Sequence, residues 1–362
     1  MQAPIDQLRS DMRRRHLIPL WELEAEIMGL VPAPRTLAWL WRWSDLYAIA
    51  ERAGELVSVE RGGDRRAVAL SNPGQMGLPY ATPTLWAAVQ WLNGREVAPA
   101  HRHTSQAVRF IIDGAGSYST VEGDKVFLER GDLVMTPPMM WHDHGSESEE
   151  RAIWFDALDI PLNNYLDASF FENYPHESQE VDQHLNGSVL KYGVGQMRPA
   201  WEPPSRSYPP IKAYKWADTE RALANLAQVD FDPFDDVALE YINPHSGGPV
   251  MRSFGCQIQM LRPGVHTAAH RHTGSWVYVA FEGHGETIID GVRFAWGPGD
   301  MFALPSWAVH EHLNVDSGER AILFAVHDTP LLKAVDKYRV EAHPSAHQEV
   351  SGEFDGDSEV RR

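Results

Sequence analysis

A single cysteine, Cys256, stands among 362 residues. No internal disulfide can form, so the fold rests on buried apolar surface, and a reducing, cytoplasmic setting is expected. No uninterrupted apolar run approaches the about 20 residues a membrane helix needs, so no membrane partner is expected. The N-terminal stretch MQAPIDQLRSDMRRRHLIPLWELEAEIMGL carries basic residues, but no apolar stretch or small-residue cleavage site follows them, and no signal peptide is read. Positive charge is also scarce: 32 Lys and Arg against 50 Asp and Glu give a formal net charge of −18. A phosphate backbone needs a basic face, so nucleic acid is not an expected partner, and the short arginine run at 13–15 does not reverse that. What is plentiful is apolar surface, 43% of residues and enough for two cores, together with 13 tryptophans. Several of these cluster in LAWLWRWSDLYAIA, a segment suited to a packed or oligomeric surface.

Residues 5–30 show mixed helical spacing, and 37–54 read as an amphipathic helix ending at Gly54. From about Pro79 the texture becomes short apolar alternation broken by Gly, Pro and Asp, the pattern of strands. In RFIIDGAGSYSTVEGDKVFLERGDLVMTP the pairs Asp113-Gly114, Glu122-Gly123 and Arg130-Gly131 mark the turns. The same texture returns in WVYVAFEGHGETIIDGVRFAWGPGDMFALP. The expected organisation is an N-terminal helical and extended arm (1–78), a first β-domain (79–160), a connection (161–250) with a short helix near DTERALANLAQ, a second β-domain (251–340) and a disordered tail (341–362).

The two β-regions are copies of one unit. AHRHTSQAVRFIIDGAG aligns with AHRHTGSWVYVAFEGHG, placing His101 and His103 on His270 and His272. GDLVMTPPMMWHDH aligns with GDMFALPSWAVHEH, placing Gly131, Pro137, His142 and His144 on Gly299, Pro305, His310 and His312.

These residues resemble the cupin motifs: Gly, five residues, His-x-His, then Gly, five residues, Pro and a His five positions on. Gly264, His270 and His272 match the first motif; the first copy lacks its Gly. Both copies match the second. The glutamate expected soon after His-x-His is missing, with Ala107, Val108, Trp276 and Val277 in its place. The resemblance therefore implies a mainly β bicupin of two jelly-roll barrels, each with a three-histidine site. Over most of its length, from LIPLWE through ERGGDRRAVALSNPG and WFDALDIP to LPSWAVH, the chain resembles the bicupin gentisate 1,2-dioxygenases and their salicylate and 1-hydroxy-2-naphthoate relatives. That implies a ring-cleaving dioxygenase using Fe(II), dioxygen and a small aromatic carboxylate, and a homotetramer. Gentisate, opened to maleylpyruvate, is the favoured substrate. Salicylate or 1-hydroxy-2-naphthoate is the alternative, and a non-catalytic metal-binding bicupin the remoter one.

In the first barrel His101, His103 and His142 are the candidate metal ligands, the first two on one strand face about 7 Å apart. Neutral nitrogen donors suit iron, zinc, copper or nickel, and spacing alone does not choose among them. Three neutral imidazoles leave a divalent ion's charge uncompensated, which favours a substrate bringing a carboxylate and an ortho phenolate. Arg109 shares the histidines' face only if TSQ turns the chain back towards the metal. By resemblance, Arg109 and Arg65 would hold the substrate carboxylate with their forked guanidinium groups, a structural salt bridge being the alternative for each. Trp86, Ala88, Gln90 and Met139 are candidates for the pocket wall, with Gln90 able to bond a ring hydroxyl or dioxygen. His144 is a candidate acid or base, and Asp156 a candidate for orienting a histidine or binding a hydroxyl. The second copy keeps His270, His272 and His310, leaving a second metal open. It has Tyr278 where the first has Arg109, which assigns ring cleavage to the N-terminal barrel.

Overall fold

The computed structural model describes residues 2–58, 66–195, 197–203 and 208–356. Met1–Pro34 forms one compact unit and Arg35–Arg362 another. In the first, helices α1 (Gln2–Arg14) and α2 (Leu20–Ile27) are joined by an ion pair from Arg9 Nε to Glu22 at 2.7 Å. Leu17, Ile18, Leu20 and Trp21 are exposed there. None of the described helices is long and apolar enough to cross a membrane.

The second unit holds both barrels. Strand β1 (Trp39–Trp41) and helix α3 (Trp43–Leu56) come first. The helix expected over 37–54 is thus shorter at its start: three residues pair with a sheet edge before the helix begins, a tertiary contact that helical spacing cannot show. The first barrel comprises β2 (Ala67–Ala69), β3 (Trp86–Leu92), β4 (Val97–His103), β5 (Ala107–Asp113), β6 (Ser117–Val121), β7 (Asp124–Leu128), β8 (Leu133–Thr136), β9 (His142–Ser146) and β10 (Ala152–Leu158). The connection supplies β11 (Phe171–Asn173), β12 (Ala213–Tyr214), a helix at Trp216–Leu226 and β13 (Val237–Glu240). The second barrel comprises β14 (Gly255–Leu261), β15 (His270–His272), β16 (Trp276–Glu282), β17 (Gly285–Ile289), β18 (Val292–Trp296), β19 (Met301–Leu304), β20 (His310–Leu313) and β21 (Ala321–His327), followed by β22 (Val340–Ala342) and β23 (Gly352–Glu353). The tail expected to be disordered from 341 is instead bound to the second barrel as far as Phe354: β22 pairs with β15, β23 with β18, and the Phe354 N–H donates to the Arg293 carbonyl. Its polar composition hides main-chain pairing to sheet edges. Residues 357–362 lie outside the described residues.

Each barrel is two facing sheets: β12-β8-β5-β10-β3-β2 over β11-β4-β9-β6-β7, and β1-β19-β16-β21-β14-β13 over β22-β15-β20-β17-β18-β23. The six-stranded sheets containing β5 and β16 are buried on both faces, one towards the barrel interior and an apolar one towards the other barrel. Phe110 stacks on Phe324 between the barrels at 4.1 Å, within a core that also holds Val89, Phe155, Ile258 and Val279.

The arms are exchanged. β1, which precedes the first barrel, pairs with β19 of the second, and β12 in the connection pairs with β8 of the first. The contacts repeat in detail. Asp300 accepts the backbone N–H of Trp43 at 2.7 Å, and Asp132 that of Trp216 at 2.8 Å. Gly299 and Gly131, both at φ 87°, lie so close to those indole rings that a Cβ would clash. A second repeated lock follows each barrel. Asp159 accepts from the Gln106 backbone N–H at 2.8 Å and the Ser253 hydroxyl at 2.6 Å. Its counterpart Asp328 accepts from Ser275 at 2.9 Å and Thr84 at 2.6 Å. Each barrel's last strand is thereby tied to the segment that opens the other.

Candidate active site

The strand-to-strand turn at Thr104–Gln106 carries the chain from one sheet to the facing one, since β4 and β5 belong to different sheets. His101 sits directly opposite His142 across the β4–β9 pairing. The rings of His101 and His142 lie 4.3 Å apart, those of His103 and His142 4.8 Å, and those of His101 and His103 5.5 Å. In each, Nδ1 lies 2.8–2.9 Å from a backbone carbonyl: Pro99 for His101, Ser105 for His103, Met140 for His142. That contact fixes the tautomer and presents Nε2 as the donor. One donor atom from each histidine lies within 4.8 Å of the others. Among the described residues, buried His142 Nε2 has no hydrogen-bond partner, a cost that a metal would remove. Burial, reinforced by His101, His103 and Arg109, holds His142 well below the usual imidazole range, so it is neutral and able to ligate. The set fits a divalent metal bound from one side.

Beside the triad lies a cavity of about 390 Å³ whose wall includes Trp86, Gln90, His101, His103, Arg109 and Asp156. Trp86 and Gln90 reach it from alternate positions of β3. Ala88, between them on the same face, is fully buried and opposite Asp156. Met139 sits in the turn before His142, its N–H donated to the His103 carbonyl at 2.8 Å, and is not part of that wall. Arg65 lies outside the described residues. Its neighbour Arg66 is buried in the scaffold, paired with Glu96 and donating to the Trp91 and Gly54 carbonyls.

Arg109 is 4% exposed and opposite Asp156 across the β5–β10 pairing, its Nε 2.8 Å from Asp156 Oδ1. Asp156 also accepts from Trp154 Nε1 at 3.1 Å. The carboxylate thus lies against the arginine. It orients the guanidinium, not a histidine or a ring hydroxyl as the sequence alone suggests. His144 is buried behind Arg109: the guanidinium contacts its ring, and Ser119 Oγ lies 2.7 Å from its Nδ1. Burial, then Arg109, holds its pKa well below the usual range. A carboxylate on one side and a neutral imidazole on the other leave the arginine's position fixed while it faces the cavity.

Several wall residues were missed. Phe171 and Asn164 come from the connection, and Ala67 from β2. Phe171 stacks on His101 at 5.0 Å because β11 pairs with β4, setting Phe171 opposite His103. Nothing in the local pattern of FEN marks that pairing.

The second triad has the same layout. His270 is opposite His310, with rings 4.2 Å apart, and one donor atom of each of His270, His272 and His310 lies within 4.8 Å of the others. The cross-strand pair differs, however: Tyr278 faces Ala325 where the first barrel has Arg109 and Asp156. Tyr278, Trp276, Phe302 and Trp296 fill that interior.

The Cupin domain model matches residues 89–160 and 257–327, one match per barrel. The chain is 37% identical to 5-aminosalicylate 1,2-dioxygenase of Comamonas sp, over all of this chain and 97% of the relative. It is 39% identical to gentisate 1,2-dioxygenase of Streptomyces sp, over 91% of this chain and 93% of the relative. The chain belongs to the bicupin gentisate 1,2-dioxygenase family. A crystal structure of salicylate 1,2-dioxygenase from Pseudoaminobacter salicylatoxidans with gentisate superposes with a TM-score of 0.89 at 33% identity, covering 94% of each chain. As a member of this family the protein is a ring-cleaving dioxygenase of hydroxylated aromatic carboxylates.

Proposed function

We propose that the first barrel is an Fe(II)-dependent gentisate 1,2-dioxygenase, adding both atoms of dioxygen to gentisate and opening the ring between its carboxyl- and hydroxyl-bearing carbons to give maleylpyruvate. The observation that carries the reading is Arg109, a buried cation facing a ring-sized cavity beside three imidazole donors. His101, His103 and His142 would hold the iron. When bound, the ion supplies a template on which a phenolate, a carboxylate and dioxygen can meet, and a path for electrons from ring to oxygen.

The chain's own groups do the rest. Arg109 receives the substrate carboxylate on the N–H groups not taken by Asp156 or His144, and its fixed charge orients the ring. Gln90, 2% exposed, offers an amide to a ring hydroxyl. Trp86 and Phe171 wall the cavity and exclude water from the ring faces. Gentisate carries a hydroxyl para to the one that would meet the metal, which enriches the ring in electrons.

A second reading, cleavage of 5-aminosalicylate, is favoured by one observation: the relative acting on it aligns with the whole of this chain. Its amino group is also a para donor. The test is oxygen uptake by protein loaded anaerobically with Fe(II), comparing kcat/KM for gentisate, 5-aminosalicylate, salicylate and 1-hydroxy-2-naphthoate. Gentisate is expected to lead. A higher value for 5-aminosalicylate would transfer the assignment to it, and no uptake with any would overturn the reading.

A further inference from the structure

We propose that the outer face of the second barrel carries a second kind of metal site, made by His266, Glu311 and His347 and suited to a borderline divalent cation such as Zn(II). Along β20, His310 and His312 are directed inward, so alternation directs Glu311 outward. Its side chain is nonetheless fully buried. His266 Nε2 lies 3.3 Å from one carboxylate oxygen and His347 Nδ1 3.9 Å from the other. The two imidazoles stack on each other with centroids 3.7 Å apart and planes 23° from parallel. One donor atom from each of the three residues lies within 4.8 Å of the others.

The three come from distant parts of the chain, and main-chain contacts hold them in place. The Ala269 N–H donates to Ala346 at 2.7 Å, and the Gln348 N–H reaches both Glu311 oxygens at 3.2 Å. The Gln348 side chain bridges the Ile288 carbonyl and the Gly291 N–H. Among the described residues no Lys or Arg pairs with Glu311; its ion-pair partners are the two histidines. A fully buried carboxylate balanced only by imidazoles is short of positive charge. Both carboxylate oxygens face imidazole nitrogens and no Lys or Arg among the described residues, so a divalent ion would supply the missing charge. Two imidazoles and a carboxylate are a donor set for zinc, with solvent able to take a fourth position because both histidines are partly exposed.

The first barrel provides an internal control. There the same tail-to-strand docking is made by Asp143 and Gln179, whose backbone N–H donates to the carboxylate at 2.9 Å. The repeat places Val97 and Ser178 where the second barrel has His266 and His347. Docking the returning segment therefore does not require the histidines, which are an addition on one barrel only.

The test follows from that control. His266→Val combined with His347→Ser copies the first barrel and should fold. Metal-free wild type and this double variant are dialysed against the same Zn(II) solution, and zinc is counted by elemental analysis. Wild type should retain one more equivalent per chain, and Co(II) should give ligand-field bands in the wild-type-minus-variant difference. Oxygen uptake by the iron-loaded variant should match wild type. Equal zinc content in the two folded proteins would overturn the site.

Discussion

Arg109 and Asp156 face each other across neighbouring strands, 2.8 Å from nitrogen to oxygen, both almost fully buried at the wall of the cavity. The pair reconciles two readings of the arginine. It is a salt bridge, and it still faces the space where an anion would sit. One carboxylate offsets the arginine's burial without occupying all five of its donors.

Arg109→Ala should leave the triad and its iron intact while lowering kcat/KM for gentisate by about 100-fold or more, on the order of 3 kcal/mol of lost transition-state binding. Asp156→Ala should also reduce turnover, and should cost about 3–5 kcal/mol of stability because it strands a buried cation. Iron content, steady-state kinetics and denaturant unfolding read these effects. Unchanged kcat/KM in Arg109→Ala would remove the carboxylate assignment.

The two triads should respond differently to loss of one ligand. His142→Ala should abolish oxygen uptake and lower the iron content of the chain. His310→Ala should leave gentisate turnover within about twofold of wild type, because Tyr278 and Ala325 stand where the anchor pair would be. Loss of turnover in a folded His310→Ala protein would move catalysis into both barrels.

Acid should weaken the metal-free protein through its buried histidines. Burial holds His270 at about 4 and His272 at about 3, against 6.5 in the unfolded chain. Between those values the unfolded state binds more protons than the native one. Stability from these groups is therefore complete above about pH 6.5 and is lost as pH falls towards 4 and then 3. Calorimetric Tm measured from pH 7 to pH 4 should fall, and His272→Asn should flatten the slope. A Tm constant over that range would contradict it.

Asp159→Ala should destabilise the fold by about 3 kcal/mol, since the Gln106 N–H groups and the Ser253 hydroxyl lose a buried charged acceptor. Because the lock spans both barrels, denaturation should lose cooperativity as well. Two separated transitions by calorimetry would show this; an unchanged midpoint would assign the lock no role.

Much of this molecule is written locally. Strand alternation, the turn pairs and the repeated His-x-His with its later histidine determine two β-barrels and two interior triads, because period-two patterns and ligand spacing are properties of short segments. The same repeat sets Arg109 against Tyr278. Tertiary structure decided what depends on which strands become neighbours. It paired Asp156 with Arg109, brought Phe171 from the connection onto the strand that carries His101 and His103, and exchanged the arms so that Trp43 covers Gly299 of the second barrel and Trp216 covers Gly131 of the first. It also bound a polar tail to a sheet edge and so placed His347 beside His266. Main-chain pairing to an edge strand depends little on side-chain identity, so composition does not reveal it. Only the folded chain shows which edges were left to fill.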